Sequence, residues 1–378
     1  MTPDRPHHLH SLDIARGVAA FAVVFWHWQH FFVVGVLPDP AFRMDLQPMF
    51  GLFRYFYEYG YKAVSLFFSL SGFIFFWLFA RQIADGTLSL RTFFLHRFSR
   101  LYPLHVATLL LVAGTQPLYR AIHGSAFVYA NNDLGDFLLN LLLLSTVGRD
   151  TGMSFNGPSW SVSVEMTLYA AFFLCCVALT PRLLSMIAVA LVGYLILGPQ
   201  RPTLGSAVGA FFIGGCMSVL YATLTRDSSR TRLAAVVVCS VTALCASLYV
   251  IPSGANGILP PIVYPGVEPD LLTVLVFPCC ILALALAEFL RPAIFAHVAR
   301  MTRLGQLSYS VYLIHFPLQL LLMLAIGWLD IDARVFYSPV TMVAFFAALI
   351  ALGLVSHYQF EMPVQRWLRA RFGFVRVK

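Results

Sequence analysis

A chain of 378 residues is long enough for two soluble domains, but its composition excludes that class of protein. Hydrophobic residues make up 59% of the chain and charged residues only 11%, against about 45–50% and about 25% in soluble globular proteins. So few charges cannot cover a soluble protein of this size. They also argue against a disordered or nucleic-acid-binding protein, although the net charge is +8. The composition predicts an integral membrane protein embedded in a lipid bilayer, with no nucleic-acid partner.

The seven cysteines all lie within apolar stretches, and the chain contains no CxxC pair. This placement is typical of small core residues rather than of a disulfide framework or a metal site. We therefore predict no metal-ligating residues.

Ten stretches are long and apolar enough to cross about 30 Å of hydrocarbon as helices. They are 14–34, 63–81, 102–122, 160–179, 183–198, 203–224, 233–251, 271–290, 306–327 and 337–357. The predicted fold is all-α, a polytopic membrane protein with about ten transmembrane helices. It forms a single membrane-embedded domain over 1–378, with no appended soluble domain. A further apolar segment, 137–147, is too short to span and is expected at the interface or as a re-entrant segment.

The basic residues predict the orientation. If both termini are cytoplasmic, the inside segments hold eighteen of the twenty-five basic residues and six of the seventeen acidic ones, a net charge of +12. The outside segments then carry −3. The positive-inside rule favours this arrangement, as in a multi-pass protein of the cell inner (plasma) membrane.

Ionisable residues within the predicted spans are the first functional candidates, because burying a charge in the bilayer is costly. On the first helix Arg16 and His27 are separated by about 16 Å along the axis and lie within about 20° of one face. Asp13 and His30 lie near the same face. For His27 the competing interpretation is a structural imidazole bonded to a neighbouring backbone.

The fourth helix carries Ser161, Glu165 and Tyr169 at i, i+4 and i+8, which form one polar stripe. A buried carboxylate at position 165 needs a partner or a proton. The stripe is therefore either part of a functional site or an interhelical hydrogen bond that stabilises the bundle.

A similar polar stripe on the ninth helix either lines a cavity shared with the stripe on the fourth helix, or forms hydrogen bonds that join neighbouring helices. It comprises Ser308, Tyr312, His315 and Gln319, just before and after Pro317. At the cytoplasmic end of the third helix, Arg97 and Arg100 either set the topology or form a phosphate clamp.

Two functions account for these residues. Basic groups at the cytoplasmic face, a histidine deeper in the membrane and a carboxylate nearer the outside suit group transfer from a phosphorylated donor. They also suit a proton-coupled transporter or flippase of a lipid-linked sugar, in which His and Glu relay protons.

Five stretches resemble the acyltransferase-3 family of integral membrane O-acyltransferases. They are LDIARG at 12–17 followed by His27, LFFSLSGF at 66–73, RFSRLYP at 97–103, WSVSVE at 160–165 and SYSVYLIHFP at 308–317. These match the family's R/K-x10-H, FFxxSGF, RxxRLxP, WSLSVE and SYxxYLxHxP elements, in the family's order. A ten-span topology is also the family's.

The resemblance implies an O-acetyltransferase type of enzyme. Its donor is acyl-CoA, usually acetyl-CoA, used as a substrate rather than as a permanently bound cofactor. The acceptor is a hydroxyl of a glycan or glycolipid, such as lipopolysaccharide O-antigen or exopolysaccharide, and a separate downstream transferase is a further expected partner. Acceptor pockets would be built from the outer loops 35–62, 123–159 and 252–270.

The same resemblance implies roles for individual residues. Arg16 and His27 are the expected essential pair, and Arg16, Arg97 and Arg100 are expected to bind the CoA phosphates. Glu165 supports catalysis or acceptor binding. Further supporting positions are Asp13, Ser71, Trp160, Ser161, Tyr312 and His315. His27 acts either as a general base or as a covalent acyl carrier.

Overall fold

The computed structural model describes residues 8–35, 37–146, 152–179, 182–250 and 272–372, and these are mostly helical. The whole of the outer loop 252–270, predicted to contribute to an acceptor pocket, lies outside these residues. The α-helices are α1 His10–Trp26, α2 Phe50–Tyr59, α3 Ala63–Leu78, α4 Ala80–Ala84, α5 Leu90–His123, α6 Leu134–Leu141, α7 Trp160–Ala178, α8 Leu183–Leu191, α9 Pro202–Asp227, α10 Arg230–Val250, α11 Phe277–Leu290, α12 Pro292–His297, α13 Thr302–Trp328, α14 Pro339–Val355 and α15 Met362–Arg371.

Seven helical stretches within the described ranges are long and apolar enough to cross a membrane. They are Phe50–Leu78, Leu90–His123, Gly157–Ala178, Pro202–Arg226, Leu272–Leu290, Thr302–Trp328 and Pro339–Arg371. A shorter apolar helix covers Leu183–Leu197. The prediction of an all-α, multi-pass membrane protein is confirmed, whereas the count of ten spans and the side of the termini stay predictions.

The first predicted span, 14–34, is not one continuous α-helix. α1 ends at Trp26, a 3₁₀ segment covers His27–Phe32, and strands β1 Val33–Val34 and β2 Leu37–Pro38 pair antiparallel. The Gln29 side chain donates a hydrogen bond of 3.0 Å to the Trp26 carbonyl, so that this terminal acceptor is satisfied outside the α-helical ladder. His27 therefore lies at the end of α1 rather than within it.

The third predicted span, 102–122, belongs to a longer helix. Ser89 caps the start of α5 by accepting a hydrogen bond from the Thr92 backbone N–H, and the helix continues through Pro103 and Pro117. Internal prolines are tolerated in membrane helices when neighbouring groups satisfy the freed carbonyls. Arg97 and Arg100 consequently lie inside α5 and not before it.

Small residues bring helix backbones together at two places. Gly72 of α3 lies against the backbone of Phe211, and Gly214 of α9 lies against the backbone of Ser69. Gly205 and Gly209 lie against the segment 193–198, as expected for a GxxxG sequence in a membrane helix.

A third close approach joins α1 to α13. A Cβ atom added at Gly17 would lie 2.7 Å from the Leu304 Cβ, and one added at Gly305 would lie 2.7 Å from the Asp13 Cβ. Both distances are shorter than van der Waals contact, so only glycine allows this spacing. The two helices carrying the candidate residues Arg16 and His315 are packed through these positions.

A carboxylate from another helix fixes the start of α1. Glu288 of α11 accepts hydrogen bonds from the backbone N–H groups of His10 and Ser11, at 3.0 and 2.8 Å. The first N–H groups of a helix have no intrahelical acceptor, and a negative charge there is stabilising.

The segment 137–147, as far as residue 146, includes the end of α6 and a loop that contacts α7. Ser163 donates to the Leu143 carbonyl at 2.6 Å, and the hydroxyls of Thr146 and Ser163 lie 3.1 Å apart. The segment is therefore fixed against α7 and does not form a helix of spanning length.

Replacing Gly305 by alanine should separate α1 from α13 and lower the melting temperature of the detergent-purified protein. Overpacking of this kind costs about 1–3 kcal/mol. Gly114→Ala is the matched control, because a Cβ there meets no atom within 4 Å and alanine favours the helix. Equal melting temperatures for the two variants would contradict the close packing.

Candidate functional site

A cavity of about 100 Å³ lies among α1, α3, α5, α7 and α13. Its polar lining residues are Arg16, Ser71, Arg97, Arg100, Ser161, Glu165, Tyr169, Ser308, Tyr309 and Tyr312. Aromatic and aliphatic side chains, including Phe67, Phe68 and Val64, form the rest of the wall. We call this space the arginine cavity.

Positive charge exceeds negative charge in the lining of the arginine cavity, where three arginines accompany one carboxylate. Arg16 also forms an ion pair with Asp13 at 3.6 Å. The Arg97 guanidinium lies over the rings of Phe75 and Phe79, at 4.9 and 5.0 Å from their centroids, and its buried Nε has no hydrogen-bond partner among the described residues. Such a cavity favours an anionic ligand.

A fourth arginine, Arg369 of α15, joins this group. Its Nε donates to the Ser99 hydroxyl at 3.1 Å, and it lies close enough to Arg97 and Arg100 to interact electrostatically with both. Arg369 was not among the predicted donor-binding residues, because the positive-inside rule already accounts for a basic residue near the C-terminus.

Glu165, the carboxylate in the lining of the arginine cavity, accepts a hydrogen bond from its own helix, α7. Tyr169 donates a hydrogen bond to Glu165, one turn earlier on α7. Across the cavity, Ser161 donates to the Tyr312 hydroxyl at 2.9 Å, and Tyr312 donates to the Pro158 carbonyl at 2.8 Å. The predicted stripe on α7 therefore lines the cavity and also makes an interhelical hydrogen bond.

Deeper along α1, a second group of polar side chains is buried, and we call it the histidine cluster. His315 Nε2 lies 3.2 Å from His27 Nδ1, and His315 Nδ1 lies 2.6 Å from the Tyr312 carbonyl oxygen. Gln319 donates to the His27 carbonyl at 2.9 Å, and its Oε1 lies 3.2 Å from His30 Nδ1. The cluster joins α13 to the 3₁₀ segment after α1.

The predicted site residues thus fall into two groups. The arginine cavity contains Arg16, Ser71, Arg97, Arg100, Ser161, Glu165 and Tyr312, whereas His27 and His315 form the histidine cluster. Asp13 contacts Arg16 from outside the lining, and Trp160 is buried beside Phe68. The predicted stripe on the ninth helix divides, since Ser308 and Tyr312 line the cavity while His315 and Gln319 join helices.

Tyr312 connects the two groups. Its hydroxyl lies on the arginine cavity, while its backbone carbonyl contacts His315. One turn of α13 therefore separates the cavity from the histidine cluster.

Comparison with known proteins identifies the class of protein that this arrangement belongs to. A family model described as an acyltransferase domain matches residues 9–357. The chain therefore belongs to the acyltransferase-3 family and is a multi-pass membrane acyltransferase.

Two curated proteins are similar to parts of the chain. Protein 2 in picA locus of Rhizobium radiobacter is 29% identical over 185 residues, which is 46% of this chain and 84% of that protein. Acyltransferase MdmB of Streptomyces mycarofaciens is 33% identical over 177 residues, which is 45% of this chain and 40% of that protein. The matched region thus spans less than half the length of the second relative. No solved structure matches the chain.

Replacing Gln319 by leucine should destabilise the protein. The change leaves the His27 carbonyl and His30 Nδ1 buried without the partners that Gln319 supplies, and each such loss costs about 1–3 kcal/mol. The exposed Gln82→Leu is the control, since its side chain donates to the nearby Leu78 carbonyl at the surface. Thermal unfolding of both purified variants tests this, and an unchanged melting temperature for Gln319→Leu would contradict the assigned contacts.

Proposed function

We propose that the protein transfers an acyl group, usually acetyl, from cytosolic acyl-CoA to a hydroxyl of a glycan such as lipopolysaccharide O-antigen or exopolysaccharide. The observation that supports this most directly is the arginine cavity, in a chain of the acyltransferase-3 family. CoA carries several phosphates, and clustered guanidinium groups bind phosphate through charge-assisted, bidentate hydrogen bonds.

The charge balance supports a polyanionic donor. Asp13 partly compensates Arg16, and Glu165 is engaged by Tyr169. Arg97 and Arg100 lie close to Arg369 without a carboxylate within ion-pair distance in the part of the chain that the structure describes. Their mutual repulsion would be relieved by the phosphates of a bound donor, which makes these arginines and Arg16 the proposed donor-binding residues.

Cavity size indicates which part of the donor enters. The arginine cavity measures about 100 Å³, below the ~300–1,000 Å³ of pockets that enclose drug-sized ligands. It cannot hold a whole CoA molecule. We propose that the nucleotide lies at the arginine-lined mouth and that the acyl-pantetheine arm extends past Tyr312 toward His27.

In the proposed reaction, His27 Nε2 accepts the proton of the acceptor hydroxyl. The hydroxyl oxygen forms a bond to the thioester carbonyl carbon, the carbon–sulfur bond breaks, and the CoA thiolate takes the proton from the imidazolium. General-base catalysis of this kind contributes ~10²–10⁴-fold to the rate. Burial of the His27 side chain favours the neutral imidazole that the role requires.

A second cavity, of about 230 Å³, is the proposed entry for the acceptor. It lies beyond the histidine cluster and is lined by Phe31, Phe32, Asp39, Tyr119, His123 and Ser125, among others. Aromatic faces beside hydrogen-bonding groups suit an amphipathic ring such as a sugar. Part of this lining comes from the predicted outer loops 35–62 and 123–159.

The proposed topology has ten spans with both termini in the cytoplasm, in the inner (plasma) membrane. Each of the ten predicted spans coincides at least in part with a helix of the structure. The four arginines then lie toward the side of the membrane that contains acyl-CoA.

His27→Ala should abolish acyl transfer, because it removes the base, while expression and acetyl-CoA binding remain. The measurements are release of CoA thiol with a polysaccharide acceptor, and calorimetric binding of acetyl-CoA to the purified protein. Full activity in the variant would contradict the role of His27. A flippase of lipid-linked sugar would bind no acetyl-CoA in either form.

Arg97→Glu and Arg100→Glu should raise the KM for acetyl-CoA at least tenfold with little change in kcat, because they repel the phosphates. Arg369→Gln should raise the KM less, since it removes one charge without reversing it. Arg366→Gln is the matched control for Arg369, because Arg366 lies on the same helix and its side chain is exposed. A fall in kcat alone would contradict the donor-binding role.

A further inference from the structure

The hydrogen bonds of the histidine cluster fix the position of each imidazole proton, beginning with His315. Its Nδ1 lies 2.6 Å from the Tyr312 carbonyl oxygen, which can only accept a hydrogen bond, so Nδ1 carries the proton. A neutral imidazole has one N–H, and the other nitrogen is an acceptor. His315 is fully buried, which favours the neutral ring, and its Nε2 is therefore an acceptor.

The proton on His27 follows from the same contact. His27 Nδ1 lies 3.2 Å from His315 Nε2, and because Nε2 accepts, Nδ1 is the donor of this contact. The Val23 backbone is a second hydrogen-bond partner of the His27 ring. The proton of His27 is thus on Nδ1, and its Nε2 carries a free lone pair. A general base accepts a proton through such an unprotonated nitrogen.

Gln319 fixes the proton of the third ring, that of His30. Its Nε2 donates to the His27 carbonyl, which orients Oε1 toward His30 Nδ1 and makes that nitrogen a donor. As whole residues, His30 and His315 are 0% exposed, whereas His27 is 6% exposed. His27 is therefore the member of the histidine cluster that a substrate can contact.

We propose that His315 is a positioning residue for acyl transfer, which holds His27 in the tautomer with a free Nε2 and stabilises the imidazolium formed during the reaction. The inference rests on the proposed function. When His27 Nε2 takes the acceptor's proton, the bond from Nδ1–H to His315 Nε2 strengthens, and His315 in turn donates to the Tyr312 carbonyl. An imidazole here fills the position that a carboxylate holds behind the histidine of serine hydrolases.

Two substitutions distinguish a positioning role of His315 from a role in packing alone. His315→Met removes the acceptor with little change in volume, and His315→Gln restores a carbonyl oxygen that can accept from His27 Nδ1–H. We expect His315→Met to lower kcat by roughly 10–100-fold, the range for groups that orient a functional histidine, with the KM for acetyl-CoA unchanged within twofold. His315→Gln should recover most of the lost kcat.

His105→Met is the matched control, because His105 is another buried histidine, with its Nε2 bonded to the Asn140 carbonyl at 2.8 Å. It should lower the melting temperature but not kcat. A wild-type kcat in His315→Met, or the same low kcat in both His315 variants, would overturn the proposal.

A readout without turnover distinguishes this inference from the proposed function. The ¹⁵N NMR spectrum of histidine-labelled protein reports which ring nitrogen is protonated, and comparison with His27→Ala identifies the His27 signals. We expect a protonated Nδ1 and an unprotonated Nε2 for His27, with the Nδ1 signal altered in His315→Met. Protonation at Nε2 would overturn the positioning role even in an active enzyme, whereas an inactive wild type with protonated Nδ1 would overturn only acyl transfer.

Discussion

The close packing of α1 against α13 is the contact on which both polar regions depend. Gly17, in the middle of α1, and Gly305, in the first turn of α13, bring the two backbones together. In a bilayer, helix association relies on such close contact and on interhelical hydrogen bonds, because lipid and helix surfaces are equally apolar. His315 and Gln319 make hydrogen bonds to the ring and the backbone carbonyl of His27, and these supply polar contacts at the other end of the α1–α13 interface. The same interface therefore stabilises the bundle and positions the candidate functional groups.

The sequence predicted the features that depend on residues close in the chain. The length of the apolar stretches indicated the membrane helices, and helical spacing indicated the stripe of Ser161, Glu165 and Tyr169 and the polar face of α13. The sequence did not show that this face divides between a cavity and a histidine cluster, because helical spacing does not say which neighbour covers each turn. Nor did it indicate Arg369, which approaches Arg100 only because α15 packs against α5. The end of α1 at Trp26 was also missed, since it involves the side chain of Gln29.

The arginine cavity illustrates how a membrane protein retains repelling charges. Guanidinium groups tolerate partial burial when their faces stack on aromatic rings, as Arg97 does on Phe75 and Phe79. Arg369 is held by the Ser99 hydroxyl. These neutral contacts stabilise the positions of the arginines without cancelling their charge. The positive potential therefore remains available to an anion, which carboxylate partners would have neutralised.

The separation of the two polar regions constrains the proposed donor. Arg16 and His27 lie eleven positions apart, about 16 Å along a helix, and Tyr312 stands between the arginine cavity and the histidine cluster. A compact acyl phosphate bound by the arginines would leave its carbonyl far from His27. A donor with phosphates at one end, an acyl group at the other and an uncharged arm between them reaches both regions, and the apolar wall of Val64, Phe67 and Phe68 suits such an arm. A CoA thioester has this form.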